Sequence, residues 1–162
     1  MATSNQAGST DAANAPGTSR VLVVDDNPQN QELLAAYLET MDVEVRRADD
    51  GVTALQQVSA DPPDLILLDI MMPRMSGFEV CTKLKSDPGT RDIPVIMVTA
   101  LDRMADIQRA VECGTDDFLS RPLSRLELVT RVRNLLKVRH LKNELDRTLE
   151  YLSEIEKRPT AS

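Results

Sequence analysis

Three short apolar runs constrain this chain more than any other feature: Val21-Leu22-Val23-Val24, Leu65-Ile66-Leu67-Leu68 and Val95-Ile96-Met97-Val98. Each is continuous rather than alternating and too short for a core helix, the pattern of a strand covered on both faces. Such strands belong to a parallel sheet with helices above and below it. The segments between them have the helical period, with Leu33, Leu34, Tyr37, Leu38 and Met41 on one stripe and Val52, Leu55 and Val58 on another. Two more polar stretches, Val43 to Ala48 and Asp117 to Ser120, fit the same alternation as strands nearer the sheet edges. Five strands and five helices joined by right-handed crossovers predict an α/β fold. It is a doubly wound five-stranded parallel sheet, flavodoxin-like, in the order 2-1-3-4-5.

The 162 residues suit one domain with tails. Residues 1–19 hold almost nothing apolar, so ordering them would cost entropy that no burial offsets, and a disordered leader is expected. The domain is expected over residues 20–137. Its last helix starts at Ser124, an N-cap residue, and meets no proline or glycine before Pro159. The helix therefore extends past the domain over residues 138–158, with a disordered tail at 159–162. Within the extension Val138, Leu141, Leu145, Thr148, Leu152 and Ile155 are spaced alternately by three and four, the seam of a coiled-coil linker, and a solvated extension is the competing reading.

The net charge of −7 disfavours direct nucleic-acid binding. No run approaches the ~18 apolar residues of a membrane span, and the start lacks a signal-peptide pattern, so a cytoplasmic protein without membrane contact is expected. Cys81 and Cys113 are expected to be reduced thiols, and His140, on the extension, a surface residue.

The chemistry collects at strand ends. Strand one runs into Asp25-Asp26 and strand three into Asp69, so the topology brings three carboxylates to one edge. Crowded carboxylates repel unless a cation joins them, and Mg²⁺ suits this donor set because it takes one or two carboxylates and keeps room for water and phosphate oxygens. Taken alone, Asp25 and Asp26 could simply cap the next helix. Strand four ends at Thr99, whose hydroxyl can bond an anion, and strand five is followed by Arg121-Pro122, which adds a cation at the same edge. Gly77 is expected to supply backbone freedom in the turn before helix three.

With the strings VLVVDDNP, PDLILLDIMMPRMSGFE, IPVIMVTA and GTDDFLSRP, the chain resembles the response-regulator receiver family from about Arg20 to Lys137. The resemblance implies that Asp69 is the phosphoacceptor nucleophile. Asp26, Asp69 and the Met71 carbonyl would bind Mg²⁺ directly, and Asp25 would support the ion through water. It implies further that Thr99 and Arg121 meet the phosphoryl group, and that Thr99 with Phe118 forms a switch reshaping the face of helix four, strand five and helix five. The expected partner is a histidine kinase or phosphotransfer protein. A homodimer through the last helix or through that face is also expected. Such a protein is not an enzyme in the usual sense, since it catalyses at most its own phosphorylation and dephosphorylation.

One residue departs from the family pattern: Arg121 stands where lysine precedes the proline. Its planar fork can pair with phosphate but is bulkier than an ammonium group. The competing function is accordingly a phosphorylation-independent docking or dimerisation module, and a flavin-binding protein of like topology is disfavoured by an aromatic content of 2%. Met71 and Leu101 are apolar where the family often orients an attacking water, which implies a long-lived phosphoryl group. The extension resembles connectors that join receivers to output domains, so a downstream output is expected.

Overall fold

A computed structural model describes residues 18–100 and 104–158. The strands are β1 (Ser19–Val24), β2 (Val43–Ala48), β3 (Leu65–Asp69), β4 (Val95–Thr99) and β5 (Asp117–Ser120). The helices are α1 (Pro28–Leu38), α2 (Gly51–Ala60), α3 (Gly77–Ser86), α4 (Met104–Glu112) and α5 (Arg125–Lys157). All strand pairs are parallel and the order is β2-β1-β3-β4-β5, as the apolar runs predict.

The sheet separates two cores because successive strand side chains point to opposite faces. Val21 and Val23 join Leu65, Leu67, Ile96 and Val98 with Leu34 and Leu38 of α1 and Leu128, Val132 and Leu136 of α5. Leu22 and Val24 join Ile66, Leu68, Val95 and Met97 with Val58 of α2, Val80 and Leu84 of α3 and Ala110 of α4. This two-sided burial is why the three central runs carry no polar alternation. The edge strand β2 is buried only at Ala48, which accounts for its more polar composition.

Helix starts follow local chemistry. Asn27 caps α1 ahead of Pro28, and Asp50 accepts the Thr53 N–H at 2.7 Å. Ser76 and Ser124 accept the amides of Glu79 and Glu127 at 3.3 and 3.4 Å, each serine standing three residues before a glutamate.

Two expectations are corrected. Ser19 belongs to β1, where it is buried and opposite Val43, so the ordered chain begins before Arg20; residues 1–17 and 159–162 of the expected leader and tail lie outside the described residues. His140 is not a free surface residue, because its Nε2 lies 2.7 Å from the Ser19 hydroxyl and ties α5 to the start of β1. Nearby, Lys142 pairs with Asp92 at 2.7 Å and Arg139 donates to the Asp92 carbonyl at 3.3 Å. Docking of α5 thus continues past residue 137, while Val138, Leu141, Leu145, Leu152 and Ile155 are exposed. At 100° per residue they face away from the side that buries Leu128, Val132 and Leu136.

Candidate functional site

Parallel pairing delivers the C-terminal ends of all five strands to one edge. Val24 is opposite Leu68, so the next residues, Asp25 and Asp69, emerge side by side. Asp69 is opposite Val98, and Thr99 opposite Ser120, which places the ends of β4 and β5 next in the row. Carboxylate oxygens of Asp25, Asp26 and Asp69 all lie within 4.8 Å of one another, with Asp25 and Asp69 buried and Asp26 exposed.

The electrostatic consequence falls on Asp69, whose pKa is pushed up to about 6. Burial is the largest cause and the Asp25 charge the next; the Arg121 cation and the Met71 amide, 3.4 Å from Oδ1, oppose the rise. A buried acid raised by neighbouring acids is a place where added positive charge is favourable. Three hard oxygen donors fit a divalent ion such as Mg²⁺.

Asp25 is held on both oxygens. Oδ1 accepts the Asn27 N–H at 2.9 Å, and Oδ2 accepts from Arg121 Nη2 at 2.6 Å. The Asp25 side chain is 1% exposed and that of Arg121 21%. Arg121 is anchored through its own N–H to the Thr99 carbonyl at 2.7 Å, and a cis peptide bond joins it to Pro122. Its Nε is buried without a hydrogen-bond partner.

Thr99 is fully buried at the end of β4. Phe118 is half-buried and packs on the core beneath α2, α3 and α4. Met71 projects an exposed side chain, while Leu101 lies outside the described residues. The role expected for Gly77 changes: the left-handed residue of this turn is Arg74, at φ 68°. A Cβ on Gly77 would instead sit 2.3 Å from the Asp69 carbonyl oxygen. Glycine is required there because the start of α3 is pressed against the end of β3, where Gly77 N–H donates to the Ile70 carbonyl at 2.9 Å.

Gln31 was not foreseen as part of this edge. Its buried amide donates to the Asp25 carbonyl at 2.6 Å and to Asp49 Oδ1 at 2.7 Å, joining the turns after β1 and β2. The available signal was a polar residue on the α1 stripe that buries Leu34 and Leu38.

Comparison with known proteins agrees with this geometry. Residues 21–133 match the family described as the response regulator receiver domain. The response regulator PleD of Caulobacter vibrioides is 48% identical over 128 residues, covering 79% of this chain and 28% of that protein. The DNA-binding dual master transcriptional regulator RpaA of Synechocystis is 40% identical over 118 residues, with coverage of 73% and 49%. The response regulator MprA of Mycobacterium ulcerans is 38% identical over 125 residues, with coverage of 77% and 53%. The chain therefore spans from 28% to 53% of the length of these relatives. Among solved structures, the receiver domain of a signal transduction histidine kinase from Syntrophus aciditrophicus superposes with TM-score 0.69 at 31% identity, covering 89% of this chain and 97% of that one. The receiver domain of Francisella response regulator 1452 gives 0.68 at 31%, with coverage of 74% and 97%. Sequence, topology and the acidic strand-end cluster converge, and the chain belongs to the response regulator receiver domain family of two-component signalling.

Proposed function

We propose that this receiver takes a phosphoryl group on Asp69 from a histidine kinase or phosphotransfer protein and passes the change on through its surface. The reading is carried by one arrangement: a buried carboxylate ending β3, two further carboxylates within 4.8 Å, and a threonine and an arginine at the ends of the next two strands. An ionised Asp69 oxygen attacks phosphorus, the bond from phosphorus to the donor's imidazole nitrogen breaks, and the departing imidazole keeps the bonding pair and takes a proton. Asp26, Asp69 and the Met71 carbonyl would hold Mg²⁺, with Asp25 acting through water, and the bound ion would neutralise charge on the transferred oxygens. Thr99 donates its hydroxyl to one phosphoryl oxygen and Arg121 supplies a cation to another. Movement of Thr99 toward the phosphoryl group opens space that Phe118 takes up, reshaping the surface of α4, β5 and α5.

The apolar stripe of α5 beyond residue 137 supports a homodimer that aligns two downstream outputs. The net charge of −7 accords with the absence of nucleic-acid contact by this domain, and a cytoplasmic site of action is part of the same proposal. Among the described residues no helix is long and apolar enough to cross a membrane. The Arg121–Asp25 pair favours a second reading, a docking module working without phosphorylation, because the arginine already neutralises part of the acid cluster. Reduction of the phosphorylated protein with borohydride, which converts an aspartyl phosphate to homoserine, followed by peptide mapping tests the choice of nucleophile. Modification at residue 69 is expected; modification at residue 25 or 26 instead would contradict it.

A further inference from the structure

We propose that the cavity between the root of the α5 extension and the starts of β1 and β2 is a binding site for a small phosphate-bearing anion. The cavity, of about 180 Å³, lies at the sheet edge opposite Asp69, since Ser19 begins β1 and Val43 begins β2. Arg133, Lys137 and His140 of α5 line it together with Ser19. At 100° per residue these three helix positions fall within an arc of about 60°, so α5 turns one narrow basic face toward the cavity. Like charges at i and i+4 weaken a helix, so the stability of α5 gives no reason for Arg133 and Lys137 to stand there together. Neither forms an ion pair among the described residues, not even with Asp42, the acid in the lining. By contrast Arg139 and Lys142, on the other side of the same helix, are both taken up by Asp92.

The donors suit phosphate better than a carboxylate. A guanidinium fork, an ammonium group, an imidazole and a hydroxyl offer hydrogens from more directions than a planar carboxylate presents oxygens, whereas a tetrahedral phosphate accepts from all four. His140 Nε2 lies 2.7 Å from the Ser19 hydroxyl, which is buried at 3% exposure. With the ring hydrogen on Nε2, the imidazole donates to Ser19 Oγ and leaves the hydroxyl hydrogen for the anion. Met41, Val43 and Leu136 supply an apolar wall beside these donors, so a phosphate ester carrying a small apolar group gains contact that inorganic phosphate lacks. A bound anion joins α5 to the turn before β2 and fixes the root of the extension to the sheet. The site is independent of the chemistry proposed at Asp69.

The test is a titration of the full chain with inorganic phosphate at fixed pH and ionic strength, with a chelator to keep divalent cations out, followed by nuclear magnetic resonance of the Arg133 Nε–H and the ring of His140. His140 is the single histidine of the chain, so its ring signals are read without ambiguity. Both sets of signals should shift to saturation with one midpoint. The double variant Arg133→Gln, Lys137→Gln changes two exposed positions and leaves the core intact. It should bind phosphate about tenfold or more weakly, because charge-assisted hydrogen bonds supply most of the hold on an anion. Phenyl phosphate serves as the second probe: tighter binding than inorganic phosphate assigns a phosphate ester as the ligand, and equal binding assigns free phosphate. Wild-type shifts that never saturate, as general screening of charge by salt produces, overturn the proposal. Equal affinity in the double variant overturns it too, since the anion is then held elsewhere, and acetate binding as tightly as phosphate overturns the ligand class.

Discussion

Asp69, the proposed phosphoacceptor, faces two demands, since that role needs a side chain both buried and ionised. Its folded pKa of about 6 lies above the ordinary carboxylate value, so the folded domain holds this proton more tightly than the unfolded chain does. The stabilising contribution of the neutral acid is complete at low pH and is lost as pH rises through about 6. Asp69→Asn, which cannot ionise, should therefore stabilise the metal-free domain above pH 7 by on the order of 2 kcal/mol. The gain should shrink as pH falls toward 4. Thermal melts with a chelator across that range check the prediction, and a gain that does not change with pH would contradict the electrostatic origin. The residues that meet at this edge were legible in the sequence because the runs before Asp25, Asp69 and Thr99 mark strand ends. The direct bond from Arg121 to Asp25 was not, since it joins groups 96 positions apart and depends on side-chain direction. The contact of His140 with Ser19 escaped for the same reason.

At the scale of elements, the approach of α3 to the end of β3 sets the shape of the site. Gly77→Ala would place its Cβ 2.3 Å from the backbone oxygen of Asp69, where no flexible side chain can yield. It should cost roughly 1–3 kcal/mol or more and displace Asp69. Gly89→Ala meets only the Asp87 side chain at 3.4 Å and should be close to neutral, which makes the pair a controlled comparison by chemical denaturation. The other element to probe is α5. Its packing ends near Lys142, so removing residues 143–162 should leave the melting temperature almost unchanged while abolishing dimers detected by light scattering. A chain that is monomeric before truncation at every concentration would remove the coiled-coil reading. The sequence revealed this helix through the Ser124 cap, the absence of proline or glycine before Pro159 and the three-and-four spacing of Val138, Leu141 and Leu145. It could not reveal how far the docked part continued, because Arg139 and Lys142 are held by polar contacts with Asp92 rather than by apolar ones.

At the scale of the whole molecule, the fold acts as a positioning frame. Five parallel strands bring an acid pair, a lone acid, a hydroxyl and a cation from positions 25 to 121 to one edge. That level was read well from the sequence, since continuous apolar runs specify central parallel strands and parallel strands specify a common C-terminal edge. Function follows from the edge, and the measurement that tests it most directly is intact mass after incubation with a small acyl phosphate and Mg²⁺, with a chelator control and an Asp69→Asn variant. A gain of a single phosphoryl group that needs Mg²⁺ and disappears in the variant is the predicted result. A gain that persists in Asp69→Asn, or no gain from either an acyl phosphate or a phosphorylated histidine protein, would contradict it.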